Sequence, residues 1–249
     1  AVVTGGAGHL GYAISFALAE AGADVYIGST NYEKCRNAAL NIREETGGKA
    51  TEILLDISST EAIQKCFAAI ARQMGKIDIL VNNAFYTSGL GLDMKDRDWQ
   101  AGLDGTAGSV FRATREVVPY MEKANGGSII NISSMYGLVS PDPSVYTEPK
   151  YASPPNYGAG KAAVIQFSRY AACHLAPKGI RVNSVSPGPF PSDRIQNDQD
   201  FIAALKKQVP LGRIGQPHEI KGIIVFLASE ASSYVTGSNF CIDGGWTAW

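Results

Sequence analysis

Two runs of the chain, Ile77-Asp78-Ile79-Leu80-Val81 and Ser128-Ile129-Ile130-Asn131-Ile132, are strand-length, β-branched and apolar on both faces. A strand apolar on both sides must be covered on both sides, which calls for a parallel sheet between layers of helix. Comparable runs place strands at 1–4, 24–28, 50–56, 77–82, 127–133, 180–186 and 238–242. Helical periodicity falls between them, at 10–21, 32–46, 60–74, 104–124, 157–176 and 217–228. This alternation predicts an α/β fold, a doubly wound parallel sheet of about seven strands with helices on both faces. Ser58-x-x-Glu61 reads as a capping box opening the third helix, and Pro217 suits the first turn of the last.

A chain of 249 residues fits one large α/β core, and no composition break or internal repeat divides it. Residues 1–249 therefore read as a single domain. Two segments depart from the alternation. Residues 140–156, with Pro141, Pro143, Pro149, Pro154 and Pro155, read as an inserted loop. Residues 187–215 read as a long substrate-covering link, since long ordered loops in compact domains usually serve function.

Composition removes several classes of function. With 22 basic and 23 acidic residues the formal net charge is −1, which argues against nucleic acid or an anionic membrane as partner. Cys35, Cys66, Cys173 and Cys241 are scattered, without metal-ligand spacing, and are expected to be buried free thiols in a reducing compartment. No metal site is expected. The longest apolar run, at 222–228, is too short to span a bilayer, and a cytoplasmic location follows. The abrupt start at Ala1 in a first strand of only a few residues suggests that further residues precede it.

Glycine is the one residue in excess, at 27. The first strand runs into Thr4-Gly5-Gly6-Ala7-Gly8-His9-Leu10-Gly11 and then an amphipathic helix. Gly6-x-Gly8-x-x-Gly11 thus stands in the strand–turn–helix context of a dinucleotide fingerprint, where backbone amides approach a pyrophosphate at a helix N-terminus. The second strand ends in Gly28-Ser29-Thr30, without the carboxylate that would hold a ribose 2′-hydroxyl; Asp24 lies too early. Small hydroxyls there, with Lys34 and Arg36 downstream, favour NADP over NAD.

Tyr157-Gly158-Ala159-Gly160-Lys161 opens a helix and puts Tyr157 and Lys161 on one face, a turn apart. Bringing a tyrosine from its usual pKa to about 7 requires roughly 4 kcal/mol. An ammonium about 4 Å away, at an effective dielectric near 20, supplies energy of that order. The pair is a credible general acid–base. Tyr146-Thr147-Glu148-Pro149-Lys150 has the same spacing, but Pro149 opposes a helix there, so Tyr157 is the stronger candidate.

These motifs, taken together, resemble those of the short-chain dehydrogenase/reductase family, which has the Rossmann fold. The likeness extends along the whole chain through Asp56-Ile57, Asn82-Asn83-Ala84, Asn131-Ile132-Ser133-Ser134, residues 181–188 and Asp243-Gly244-Gly245. The resemblance implies that Ser134 polarises the substrate oxygen, Tyr157 transfers the proton, and Lys161 lowers the tyrosine pKa while holding the nicotinamide ribose. It implies NAD(P) contacts from Gly5, Gly8, His9, Leu10 and Gly11 at the turn, from Ser29 and Thr30, and from Asp56 and Ile57 near the adenine. Asn83 and Ala84 would lie on the adenosine side, and Pro187 and Gly188 at the nicotinamide end. It also implies a homo-oligomer, a tetramer or dimer, packing the 104–124 and 157–176 helices and the C-terminal region. Trp246 and Trp249 would then belong to a buried C-terminus.

The sequence departs from the family pattern in three places. His9 replaces a glycine and is expected to cap the turn or touch phosphate. Phe85, followed by Tyr86, replaces the glycine after Asn82-Asn83-Ala84 and puts two aromatics near the substrate. Thr106 occupies the place of a relay asparagine, where it would have to carry that catalytic role. The interval from Ser134 to Tyr157 is also about ten residues longer than usual, and Tyr146, Lys150 and Tyr151 in it are expected to line the substrate site. Phe190, Arg194 and Arg213 are weaker candidates.

The activity implied is NAD(P)-linked interconversion of a secondary alcohol and a ketone. The tail resembles that of sugar-acid and polyol dehydrogenases of the gluconate 5-dehydrogenase type, which points to a small polar substrate. Two alternatives stand beside it. A sugar-nucleotide epimerase or dehydratase that retains its cofactor fits the glycine spacing, and a catalytically impaired NAD(P)-binding regulator fits Thr106 and Phe85.

Overall fold

The computed structural model describes residues 1–146 and 151–249. Seven parallel strands form one sheet in the order β3-β2-β1-β4-β5-β6-β7. They are β1 (Val2–Thr4), β2 (Asp24–Ser29), β3 (Lys49–Leu54), β4 (Ile79–Asn82), β5 (Gly127–Ile132), β6 (Ile180–Pro187) and β7 (Asn239–Ile242). The long helices are α1 (His9–Glu20), α2 (Tyr32–Thr46), α3 (Thr60–Met74), α4 (Asp96–Leu103), α5 (Ser109–Lys123) and α6 (Pro155–Leu175). Shorter ones follow: α7 (Asp193–Gln196), α8 (Gln199–Gln208) and α9 (Lys221–Ala228).

Alternate side chains of each central strand feed opposite layers. Val3, Val81 and Ile130 pack with Ile14, Ile42 and Leu227 of α1, α2 and α9. Val2, Leu80 and Ile129 pack with Phe67, Val117 and Ala171 of α3, α5 and α6. That is the doubly wound arrangement the two-sided apolar runs predict. A third cluster, including Met135, Leu205, Val209 and Trp246, lies under the segments after β5 and β6.

Local chemistry differs from the sequence reading at several points. Ser59, and not Ser58, caps α3, accepting from Ala62 N–H at 3.2 Å. Ser58 instead donates its hydroxyl to Asp56 at 2.7 Å, and Glu61 pairs with Lys65, so the predicted capping box does not form. The box in this chain is at Gln216/Glu219, opening a 3-10 turn at Pro217–Ile220 that leads into α9. The helix expected at 104–124 is continuous with α4 through a π turn at Asp104–Gly108. The 187–215 link holds α7 and α8. All four cysteines are free, but only Cys35 is buried; Cys173 and Cys241 are exposed, because they sit on the outer face of α6 and on the last strand. Trp246 is buried, while Trp249 is 77% exposed at the chain end, so only one of the two belongs to the core.

Strand order reverses between β1 and β4, which pair with Val2 opposite Leu80 and Val3 opposite Val81. In doubly wound sheets ligands bind at the carboxyl ends of the strands where the order reverses. A buried amide chain fixes this edge: Asn82 donates to Asn131 at 2.9 Å, and Asn131 donates to Ser168 of α6 at 2.9 Å. Among the described residues, no helix is long and apolar enough to cross a membrane, and no cluster of His, Cys, Asp or Glu could hold a metal ion.

Candidate active site

A cleft of about 610 Å³ opens at the carboxyl ends of β1 and β4. Its floor is the glycine turn. Gly5 has φ +62°, and a Cβ on Gly11 would come within 2.0 Å of the Gly5 carbonyl oxygen, so no larger residue fits that crossing. The first intrahelical bond of α1 runs from Tyr12 N–H to Gly8 O at 2.8 Å, which leaves the N–H groups of His9, Leu10 and Gly11 without helical partners. A row of such donors at a helix N-terminus suits a pyrophosphate. Asn83 holds the turn in place, its Nδ2 donating to the carbonyls of Thr4 and Gly5 at 3.0 and 3.1 Å. Its side chain is thus committed to the turn. Thr4 Oγ1 in turn accepts from the N–H groups of Asn83 and Ala84.

Gly5, Gly8, His9, Leu10 and Gly11 line this cleft, and so do Ser29, Thr30, Asp56, Ile57, Asn83 and Ala84. Pro187, Gly188, Ser134, Tyr157 and Lys161 line it too, together with Phe85, Tyr86 and Phe190. His9 does not cap the helix: the N-cap is Gly8, without a side-chain bond, and His9 Nε2 is buried without a partner. The Ser29 hydroxyl is tied to the next turn, donating to Asn31 O and accepting from Asn31 N–H. Asp56 accepts from Ser58 N–H at 2.8 Å. The sequence reading missed Leu55, Ile132, Ser133, Pro191, Ser192 and Ile195, apolar or small residues whose local pattern marks only strand ends and loop.

Ser134, at the end of β5, accepts from Tyr136 N–H at 3.1 Å. Burial holds the Tyr157 phenol above its ordinary value, a hydrogen bond with Ser134 offsetting only part of that shift, so the lowering expected from Lys161 does not emerge in the cofactor-free site. Lys161 is 3% exposed, its ammonium donates to Ile132 O at 2.7 Å, and burial pushes its pKa down to about 7. That ammonium lies 5.6 Å from the centre of the Tyr157 ring and 4.8 Å from that of Phe85. It is therefore held by a backbone carbonyl and covered by two ring faces. Phe85 is itself 50% exposed and stands 5.3 Å from Tyr157, ring centre to ring centre.

Thr106 stands apart. It is buried in the π turn behind α6, does not line the cleft, and donates its hydroxyl to Gly102 O at 2.7 Å. A Cβ on Gly160 would lie 1.7 Å from Thr106 Oγ1, so Gly160 is the space into which Thr106 fits. Asp104 in the same turn accepts from Tyr86 OH and pairs with Arg112, which also donates to Ile57 O at 3.2 Å. This cluster joins the turn after β3 to the segment after β4. The Arg112 guanidinium holds the Asp104 carboxyl below its usual range, and burial with the Asp104 contact pushes Tyr86 up to about 12.

A second cavity of about 400 Å³ adjoins the cleft and shares Phe85, Ser134, Tyr157 and Phe190 with it. Tyr136, Tyr146, Tyr151 and Phe201 line it. Lys150 and the rest of 147–150 lie outside the described residues. Arg194 is exposed on α7, and Arg213 is held by Glu219 at 2.7 Å beside a different cavity.

The fold and its glycine-floored cleft define a dinucleotide-dependent enzyme. A model of the family described as enoyl-(acyl carrier protein) reductase matches residues 5–247. The chain is 36% identical over 248 residues to a 3-oxoacyl-(acyl-carrier-protein) reductase of Chlamydia muridarum, covering 98% of this chain and 96% of the relative. Its structure is similar to a gluconate 5-dehydrogenase from Burkholderia cenocepacia J2315 in complex with NADP and tartrate, with TM-score 0.89 and 31% identity, over 100% of this chain and 94% of that one. A xylitol dehydrogenase with bound NAD+ gives TM-score 0.88 at 30% identity, over 98% and 97% of the two chains. The chain belongs to the short-chain dehydrogenase/reductase family and is an NAD(P)-dependent oxidoreductase.

Proposed function

We propose that the enzyme interconverts a secondary alcohol and a ketone on a small polyhydroxylated substrate, with Tyr157 as general acid–base. The observation that carries this reading is that Ser134 and Tyr157 line both the dinucleotide cleft and the adjoining cavity. A reacting carbon at that junction meets both the cofactor and a proton donor. Bound NAD(P) supplies or accepts the hydride.

Ser134 donates its hydroxyl proton to the substrate oxygen; its own oxygen already accepts from Tyr136 N–H, which fixes its direction. Tyr157 gives that oxygen a proton in reduction and removes it in oxidation. Held by the Ile132 carbonyl beside the Tyr157 ring, Lys161 favours the phenolate only in its protonated form. Thr106 serves as the packing partner of Gly160, since its proton is committed to Gly102.

The cofactor residues fit NADP better than NAD, because β2 closes on Ser29 and Thr30 without a carboxylate. The enzyme works as a homo-oligomer in the cytoplasm, and the exposed rings of Phe111 on α5 and Tyr170 on α6 support an interface along those helices. The chain covers most of the length of its reductase and dehydrogenase relatives, which favours redox turnover over a two-domain epimerase. The test is NAD(P)H absorbance over a panel of polyols, keto-sugars, sugar acids and 3-oxoacyl thioesters. Turnover with polyols or keto-sugars is expected. Absence of any redox change across the panel would overturn the reading.

A further inference from the structure

We infer that Asn156 is a positioning residue of the reaction: its buried amide clamps the start of α6, and with it Tyr157, to the segment that carries Phe85 and Thr87. This rests on the secondary-alcohol reading above, whose proton carrier it holds in place.

Three observations meet at this side chain. First, it is wholly buried, and both of its N–H donors reach across the fold. Nδ2 donates to Ser88 O at 2.8 Å and to Asp98 O at 2.9 Å, and it approaches Met94 Sδ at 3.6 Å. The Ser88 hydroxyl donates to Asp98 Oδ1 at 2.8 Å, which closes a ring of contacts among the three residues. Two carbonyl acceptors fix which way the amide faces, since its own oxygen has nothing to donate to them.

Second, the helices it joins begin without a cap of their own. α6 follows Pro154 and α4 follows Lys95, and neither N-cap residue makes a side-chain hydrogen bond. An uncapped first turn leaves backbone donors unpaired and is weakly held. Asn156 links those two first turns, one residue before Tyr157.

Third, the packing fixes the register of the two helices. A Cβ on Gly102 would lie 2.2 Å from both Cγ and Nδ2 of Asn156, so α4 is bare where the amide enters. One turn further along, the roles reverse, and Thr106 of the π turn enters at Gly160 of α6. Each side offers one projection and one gap, and a slip of either would drive side chain into backbone.

These contacts set the geometry of the substrate cavity. Phe85 and Thr87 reach it from one segment, and Ser153, Pro154 and Tyr157 from the other; Asn156 joins the two through Ser88. The dinucleotide turn is held separately, by Asn83 on the carbonyls of Thr4 and Gly5. Loss of the clamp therefore disturbs the proton carrier more than the cofactor.

The experiment uses the full-length enzyme with the polyol, keto-sugar, sugar acid or 3-oxoacyl thioester that the parent turns over fastest. Asn156→Ala is expected to lower kcat about 10- to 100-fold while NAD(P) Kd stays within about threefold, as for a misplacement of the proton carrier on the order of 1 Å. The three atoms nearest a Gly102 Cβ all leave in Asn156→Ala, so Asn156→Ala/Gly102→Ala refills the gap. That double variant is expected to regain about half or more of the lost melting temperature. Its kcat is expected to stay below about a fifth of the parent's, because a methyl donates nothing to Ser88 or Asp98. A residue that only supported the fold would regain kcat together with stability. Amide hydrogen exchange of the same proteins gives a readout without turnover. Exchange over residues 84–90 is expected to rise at least about fivefold in both variants, with that over 4–11 unchanged. Retention of at least about half the parental kcat in Asn156→Ala, recovery of kcat in the double variant, or unmoved exchange over 84–90 would overturn the inference and leave the secondary-alcohol reading intact. No turnover of any of these probes by the parent would overturn that reading and the inference with it.

Discussion

The ammonium of Lys161 donates to the carbonyl oxygen of Ile132 at 2.7 Å, which ties α6 to the end of β5. The same burial that fixes this bond pushes the lysine down to about 7. Its position in the site therefore carries a cost in stability, and the cost depends on pH.

Between pH 7 and the ordinary lysine value of 10.5, the unfolded chain binds this proton more tightly than the folded one. Stability then rises with pH across that window; the penalty is complete below it and absent above it. Lys161→Met removes the titrating group. Its stability relative to the parent, from urea unfolding of the cofactor-free protein, is expected to be more favourable at pH 6 than at pH 9.5 by at least about 2 kcal/mol. An identical offset at both pH values would contradict the burial argument.

Tyr157→Phe keeps the ring that stands against Phe85 and Lys161 and removes only the proton carrier. Turnover is expected to drop at least about a thousandfold, with cofactor affinity within about threefold. Tyr146→Phe is expected to retain at least about a tenth of the parental kcat, because its hydroxyl bonds Tyr136. Steady-state kinetics and fluorescence titration decide this; substantial turnover by Tyr157→Phe would remove it from the acid–base role.

Gly160 and Thr106 occupy one contact between α6 and the π turn. Gly160→Ala is expected to lower stability by about 1–3 kcal/mol through overpacking, and to reduce activity by shifting Tyr157 and Lys161. Thr106→Gly removes both the Oγ1 and the Cβ that would lie 1.7 and 2.7 Å from the added methyl, so the double variant should recover most of the activity and part of the stability. Failure of that recovery would show that the effect comes from something other than the clash.

Arg112 connects Asp104 to the carbonyl of Ile57, which lines the dinucleotide cleft. Arg112→Met is expected to destabilise the fold by about 1–3 kcal/mol and to weaken NAD(P) binding severalfold. Calorimetric titration alongside thermal melting would test both; unchanged cofactor affinity would confine Arg112 to stability alone.

Ser29 stands where a carboxylate would favour NAD. Ser29→Asp is expected to weaken NADP binding at least about tenfold by placing a negative charge against the 2′-phosphate, and to spare NAD. Parallel titrations with the two nucleotides measure the change. Equal weakening of both would mean that the substitution only disturbs the Asn31 turn.

The parallel sheet, its layers and the glycine turn were legible in the sequence because they depend on local chemistry. Two-sided apolar strands such as Ile77-Asp78-Ile79-Leu80-Val81 have one way to be buried, and the crossing of Gly11 over Gly5 O admits no Cβ. The Tyr157/Lys161 spacing likewise follows from the helix itself. Tertiary structure decided what depends on residues far apart in sequence. Tyr136, Tyr151, Phe201 and Phe85 meet around one cavity only because the segments after β4, β5 and β6 fold over the same sheet edge. No periodicity in any of those segments records that meeting. The same holds for the ammonium of Lys161, placed on Ile132 by the packing of α6 against β5, and for the proton of Thr106, taken by its own helix. Local sequence determined which elements form and where the glycine turn lies; long-range packing determined which partners surround Tyr157 and Lys161, because burial and hydrogen-bond geometry are properties of the assembled fold.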